Sequence, residues 1–257
     1  MSGQLSLVGL GLSMKFITQT ALKTLRESDI IYFDTYTSIS CDINRDEIEK
    51  ISGKPVIPAS REMLESKIEE IINKLREGKR ISIATIGDPL IATTHVSLIT
   101  TIKNLGFPVN IIPGISVFCY IISKSMLSSY KFGRSATITF PHEGYIDPGA
   151  YLAIKENRER NLHTILFLDL KESRAMRPSE AIRVLLELER RYNYGVISKD
   201  TVMIIGERLG CEDEEVYVST VEKVLEVELN KVPYIIIIPA QNLHYMEVEA
   251  LKCLKRI

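Results

Sequence analysis

Gly87-Asp88-Pro89 directly follows an apolar run that ends at Ile86. A glycine at such a place lets backbone approach a ligand closely, and a proline sets the direction of the chain. The Asp88 carboxylate is then aimed at something that donates hydrogen bonds or carries positive charge. Gly9-Leu10-Gly11 and Pro113-Gly114-Ile115-Ser116 stand in the same relation to two other apolar runs. Ser116 can cap the helix that follows it, or turn its hydroxyl or amide toward a ligand, and the two roles are compatible. Asp34, also at the end of an apolar run, would mimic the ribose-binding acid of a dinucleotide fold. The fingerprint G-x-G-x-x-G is nonetheless broken, because its third glycine would fall on Met14. A tight turn that needs glycine for steric reasons accounts for Gly9 and Gly11 equally well.

Other chemistry is poorly served. His95, His142, His163 and His244 lie far apart without the spacing of a metal site, so no metal is expected. His95 reads as a packing or hydrogen-bonding residue. There is no G-x-S-x-G elbow and no P-loop lysine, which disfavours hydrolase and phosphoryl-transfer readings. Cys41, Cys119, Cys211 and Cys253 form no C-x-x-C pair and read as isolated thiols of a reducing compartment. The acidic run Glu212–Glu215 reads as a solvated face.

The elements that must position these residues follow from periodicity. Strands are expected at Gln4–Gly9, Asp29–Phe33, Arg80–Ile86 and Val109–Ile112, with helices at Thr18–Ser28 and Thr94–Leu105. Between them Leu64, Ile68, Ile71, Ile72 and Leu75 share one face of a helix that runs from the cap Ser60 to Gly78. Alternation of apolar strands with helices implies a parallel sheet covered on both faces. Beyond Pro113–Gly114 the pattern changes. Helices are expected at Ser116–Met126, Pro178–Tyr192 and Leu243–Leu254, and strands at Ser135–Phe140, His163–Leu168, Val202–Gly206, Glu215–Ser219 and Tyr234–Pro239. The segment Pro141–Gly149 reads as a loop. The expected fold class is therefore α/β with two domains: 1–113, with a mostly parallel sheet, and 114–257, with a mixed one.

Composition bounds the rest. The 257 residues carry 32 Lys+Arg against 33 Asp+Glu, so a protein devoted to neutralising a nucleic-acid backbone is excluded. With 45% hydrophobic and 25% charged residues the chain is globular rather than disordered. No apolar run reaches the length of a membrane span and no signal peptide is evident, so a soluble, cytoplasmic protein is expected.

Taken in order, Val8–Leu12, Phe33–Ser38, Ile86–His95, Pro113–Ser116, Tyr130–Pro141 and Leu162–Lys171 resemble the diphthine synthase family. That family is a branch of the tetrapyrrole-methylase-like, S-adenosylmethionine (SAM)-dependent methyltransferases. The resemblance continues through Arg177–Ala181 and Val232–Leu251. It implies two α/β domains with SAM held in the cleft between them, S-adenosylhomocysteine as product, and a homodimer. The implied cofactor positions are Leu12, Asp88, Ile91, Ser116, Val117, Leu168, Leu209 and Tyr234. Tyr234 stands where relatives often carry histidine, and Pro113 departs from the usual H-x-x-S, which leaves backbone contacts as the surer role. The implied reaction is trimethylation of the amino group of 3-amino-3-carboxypropyl-histidine on elongation factor 2, in diphthamide biosynthesis. No nucleic-acid or membrane partner is implied.

No residue is singled out as the catalytic base. Lys131, Arg134, Lys171 and Arg174 are candidates for the substrate carboxylate, and His142–Gly149 for a mobile loop facing the partner. A corrin or porphyrin precursor methyltransferase of the same fold is the alternative. A nicotinamide-dependent oxidoreductase and a non-catalytic SAM-binding protein are readings of different chemistry.

Overall fold

A computed structural model describes residues 3–171 and 174–257. The chain divides into two compact units, Met1–Val117 and Phe118–Ile257. The first unit runs β1 (Gln4–Gly9), α1 (Gln19–Glu27), β2 (Ile30–Asp34), α2 (Arg45–Ser52), β3 (Val56–Ala59), α3 (Arg61–Glu65), α4 (Glu69–Arg76), β4 (Arg80–Thr85), α5 (Val96–Asn104) and β5 (Val109–Ile112). Its five strands form an all-parallel sheet in the order β3-β2-β4-β1-β5. Alternate side chains enter separate cores. Leu5, Leu7, Tyr32, Ile81 and Ile83 pack with residues of α4 and α5, while Val8, Ile31, Phe33 and Ala84 pack with residues of α1 and α2. Both faces are thus buried, as continuous apolar strands require.

Two features of this unit depart from the periodicity. The helix expected from Ser60 to Gly78 is broken into α3 and α4, where Ser66 and Lys67 both donate to the Glu62 carbonyl. Leu64, Ile71, Ile72 and Leu75 still share one core, so their spacing reports a common face rather than an unbroken helix. The strand β3 carries Pro58, which hides it from a propensity reading. It lies at the sheet edge, where a missing N–H is tolerated.

The second unit follows α6 (Val117–Ser125) with β6 (Ala136–Ile138), α7 (Gly149–Glu159), β7 (Thr164–Leu168), β8 (Leu170–Lys171), β9 (Arg174–Ala175), α8 (Pro178–Tyr192), β10 (Val202–Glu207), β11 (Glu215–Thr220), α9 (Val221–Glu226), β12 (Tyr234–Ile238), α10 (Tyr245–Cys253) and β13 (Lys255–Arg256). Its main sheet has the order β13-β11-β10-β12-β7-β6 and is mixed: β7, β12, β10 and β11 run antiparallel in turn, while β6 and β13 join parallel. One face is covered by α7 and α8 over Leu166, Met203, Ile205 and Ile236. The helix α7 lies where the sequence pattern marks no element; it buries Ala150, Tyr151, Ala153 and Ile154.

The segment read as a mobile loop lies outside regular structure up to the start of α7, and its first part closes into a turn. His142 and Tyr145 exchange backbone hydrogen bonds of 3.0 and 2.9 Å around Glu143 and Gly144, both at positive φ. The cysteines also need correction. Cys41 and Cys211 are each disulfide-bonded rather than isolated thiols, while Cys253 is an exposed thiol.

Candidate functional site

In the first unit the loops after the neighbouring strands β4, β1 and β5 are packed backbone to backbone. Gly11 and Gly87 form an antiparallel bridge, with Gly87 N donating to Gly11 O at 2.8 Å and Gly11 N to Gly87 O at 3.1 Å. A Cβ on Gly114 would stand 2.1 Å from Gly87 O, and one on Gly9 would stand 2.4 Å from Gly114 N. No side chain fits at either place, which supports the steric reading of Gly9 and extends it to Gly114.

Gly87 is different. It has φ +79°, and a Cβ there would meet nothing nearer than Ser116 Cα at 3.9 Å. Open space therefore faces this glycine at the carboxyl end of the sheet, where α/β folds receive their ligands.

Asp88 meets two hydrogen-bond donors within the fold. Its Oδ1 accepts from Leu90 N at 2.9 Å and its Oδ2 from Gly114 N at 3.1 Å. The hydrogen-bond donors it serves are thus backbone amides, and the carboxylate joins the loop after β4 to the turn after β5. Leu12 is buried, and its carbonyl accepts from the Ser40 hydroxyl at 2.8 Å. Ser116 is buried just before α6, Val117 opens that helix half-buried, and Ile91 stands exposed in the loop after Gly87-Asp88-Pro89. The dinucleotide reading fails on geometry as well as on Met14. A 3-10 turn at Met14–Phe16 follows the glycines, and α1 does not begin until Gln19.

In the second unit Leu168, Leu209 and Tyr234 lie at one end of the adjacent strands β7, β12 and β10. Phe167 pairs with Ile235 and Glu207 with Tyr234, which sets Leu168 and Tyr234 side by side with Leu209 just beyond. The Tyr234 side chain is buried in the core, its hydroxyl 3.5 Å from Glu207 Oε1, and burial beside that carboxylate raises its pKa.

Leu209 depends on a residue that the sequence reading assigned to solvent. Glu214 accepts from Tyr120 Oη at 2.8 Å and Gly210 N at 2.8 Å, and pairs with Lys124 Nζ at 2.5 Å. Burial opposes ionisation of Glu214, but Lys124, Gly210 and Tyr120 outweigh it and lower its pKa. This carboxylate ties the loop that carries Leu209 to α6, a role that an acidic run in sequence does not disclose.

The basic candidates separate. Lys131 is half-buried and occupied, 2.7 Å from Glu247 Oε2. Glu247 also accepts from His163 Nε2, Ser128 N and His244 N. Arg134 pairs with Glu156 and Arg174 with Glu180. Lys171 is exposed and has no ion pair among the described residues. No group of acidic, histidine and cysteine side chains able to hold a metal occurs among the described residues.

A glycine-packed parallel sheet followed by a mixed antiparallel unit defines a class. The sequence model of the tetrapyrrole (corrin/porphyrin) methylases matches residues 4–225, and the chain belongs to that family of methyltransferases. The relatives narrow it further. Diphthine synthase of Saccharolobus solfataricus is 54% identical over 254 residues, which is 98% of each chain. That of Sulfurisphaera tokodaii is 51% identical over 252 residues, or 98% of this chain and 99% of the other. A crystal structure of a diphthine synthase matches with a TM-score of 0.88 at 29% identity, covering 99% of this chain and 97% of that one. Within its family the chain belongs to the diphthine synthases.

Proposed function

We propose that this methyltransferase uses SAM to trimethylate the amino group of 3-amino-3-carboxypropyl-histidine on elongation factor 2, a step of diphthamide biosynthesis. Identity of 51–54% to diphthine synthases over nearly the whole chain is the observation that carries the reading. In the same reading SAM is held by Leu12, Asp88, Ile91, Ser116, Val117, Leu168, Leu209 and Tyr234. Residues 1–113 and 114–257 serve as its two domains. The enzyme works in the cytoplasm as a homodimer; no helix among the described residues is long and apolar enough to cross a membrane.

The residues present suit such a cofactor. The space kept open at Gly87 supports close approach of a ligand to backbone. Leu12, Ile91, Val117, Leu168 and Leu209 offer apolar surface to a nucleoside. The site set contains no basic side chain to repel a sulfonium, and its one carboxylate is committed to Leu90 N and Gly114 N. When bound, SAM supplies an electrophilic methyl group. The chain's own task is to hold donor and amine in line and to exclude water. Each transfer needs a neutral amine, so one proton leaves per methyl group. Lys171, exposed and without an ion pair among the described residues, is suited to receive the substrate carboxylate.

The test is to incubate the protein with SAM and elongation factor 2 that bears the extended histidine, then weigh the factor by mass spectrometry. Three added methyl groups are expected. Fewer would change the product, and none would refute the reading.

A further inference from the structure

Two buried residues lie behind the loop that carries Asp88 and Ile91 and are not used by the proposed chemistry. Asp34 ends β2, and His95 stands immediately before α5; both are 1% exposed. Asp34 Oδ1 accepts from Tyr36 N at 3.0 Å and Thr37 N at 3.2 Å, and Oδ2 accepts from Thr37 Oγ1 at 2.6 Å. The same Oδ2 lies 3.3 Å from His95 Nε2, an ion-pair distance off the axis of a straight hydrogen bond. On its other side, His95 Nδ1 is 2.9 Å from Pro89 O. A carbonyl can only accept, so Nδ1 carries the hydrogen and holds Pro89.

The Pro89 carbonyl also accepts from Thr93 Oγ1 at 2.6 Å. These two bonds draw the segment from Pro89 to His95 into a closed loop with Ile91 at its tip. Ala92 inside that loop has φ +57°, a left-handed conformation that an alanine adopts only when its surroundings enforce it.

A buried pair of this kind is a poor source of net stability, because desolvation offsets the attraction. What it provides is direction. It links the backbone of the loop after β2 to the loop after β4, and these two strands are neighbours in the sheet.

We propose that Asp34 and His95 are positioning residues that set the loop 87–95 for SAM binding by way of the Pro89 carbonyl. The proposal rests on the reading of that loop as part of a SAM site. Tyr36 packs edge-on to His95, with centroids 6.4 Å apart, and closes the pair from the outside.

The test compares the full chain with His95→Phe, Asp34→Asn and Thr93→Val. His95→Phe keeps the ring volume and removes both polar contacts. In Asp34→Asn the amide can donate to Nε2 of a neutral ring while Nδ1 still donates to Pro89. Thr93→Val removes the other bond to Pro89 O and leaves the buried pair intact, so it reads the same linkage should His95→Phe not fold. SAM affinity by calorimetry is expected to fall about tenfold or more in His95→Phe, and less in Thr93→Val. Asp34→Asn should stay within about threefold of wild type. Turnover at saturating SAM should change far less than affinity in every variant. Amide exchange over residues 87–95 should quicken in His95→Phe and stay near wild type in Asp34→Asn.

Wild-type SAM affinity in His95→Phe and Thr93→Val would reduce the pair to a structural one and overturn the proposal. So would unchanged amide exchange over the loop. A wild-type chain that binds no SAM would instead overturn the functional reading and, with it, this one.

Discussion

Gly87 and Gly53 give a matched pair of alanine substitutions. Both have positive φ, +79° and +68°, and an added Cβ meets nothing within 4 Å at Gly53 and only Ser116 Cα at 3.9 Å at Gly87. The backbone penalty should therefore be alike, about 1 kcal/mol in each, seen as a fall in Tm of about 2–4 °C. The two differ in what the new methyl group faces. Gly53 caps the C-terminus of α2, whereas Gly87 borders the space proposed for SAM. Forcing a methyl group into a filled space costs about 1–3 kcal/mol, which corresponds to a loss of SAM affinity of about 5- to 150-fold. Thermal melting and calorimetric titration with SAM measure the two effects separately. Gly87→Ala should weaken binding and Gly53→Ala should leave it unchanged. Equal affinities in the two variants would show that the space at Gly87 is not where the cofactor lies.

Asp88→Ala strands Leu90 N and Gly114 N in a half-buried place, so a stability loss of about 2 kcal/mol by denaturant titration should accompany weaker SAM binding. Unchanged binding with lost turnover would move Asp88 from positioning to chemistry. Gly114→Ala drives its Cβ against Gly87 O at 2.1 Å, a contact between backbones that cannot yield. It should cost about 3 kcal/mol or more, against about 1 for Gly106→Ala, which has φ +85° and open space around it; equal melting curves would contradict this packing. Stability should also fall in acid. The Glu247 carboxyl is opposed by burial but held at about 2 by Lys131, the His244 amide, His163 and the Ser128 amide, against 4.5 ordinarily. Its depressed value contributes about 3 kcal/mol above pH 4.5, lost as pH falls toward 2. His163, whose pKa burial lowers from 6.5, works in the same direction: the unfolded chain takes up its proton first, so stability already declines below about pH 6.5. Glu247→Gln should flatten the acid limb of a pH–stability curve, and an unchanged slope would show that the network does not titrate on unfolding.

Elements whose apolar residues repeat with a clear period were legible in the sequence. The strands Gln4–Gly9 and Val109–Ile112 and the helix Pro178–Tyr192 occupy the expected residues. The first of these could be read because Leu5 and Leu7 fill one core and Val8 the other, which leaves an apolar-rich run. The edge strand β3, with Pro58 inside it, and the helix α7 after a Pro- and Gly-bearing turn carried no such run. They form because the rest of the unit supplies a partner. The helix expected between Ser60 and Gly78 erred differently, since a shared face survives a break in the helix.

The same division holds at the candidate site. Residue types and order alone pointed to glycine turns after three strands, to an acid among them, and to the methyltransferase family. The direction of each side chain came only with the tertiary structure. Asp88 turned out to serve Leu90 N and Gly114 N, Glu214 to hold the loop of Leu209, Lys131 to be sequestered by Glu247, and Asp34 to meet His95. These partners lie 2 to 116 residues apart in the chain. Local sequence determines which groups a loop carries. Which donor each carboxylate finds depends on the strand order of the sheet, a long-range property that no short motif encodes.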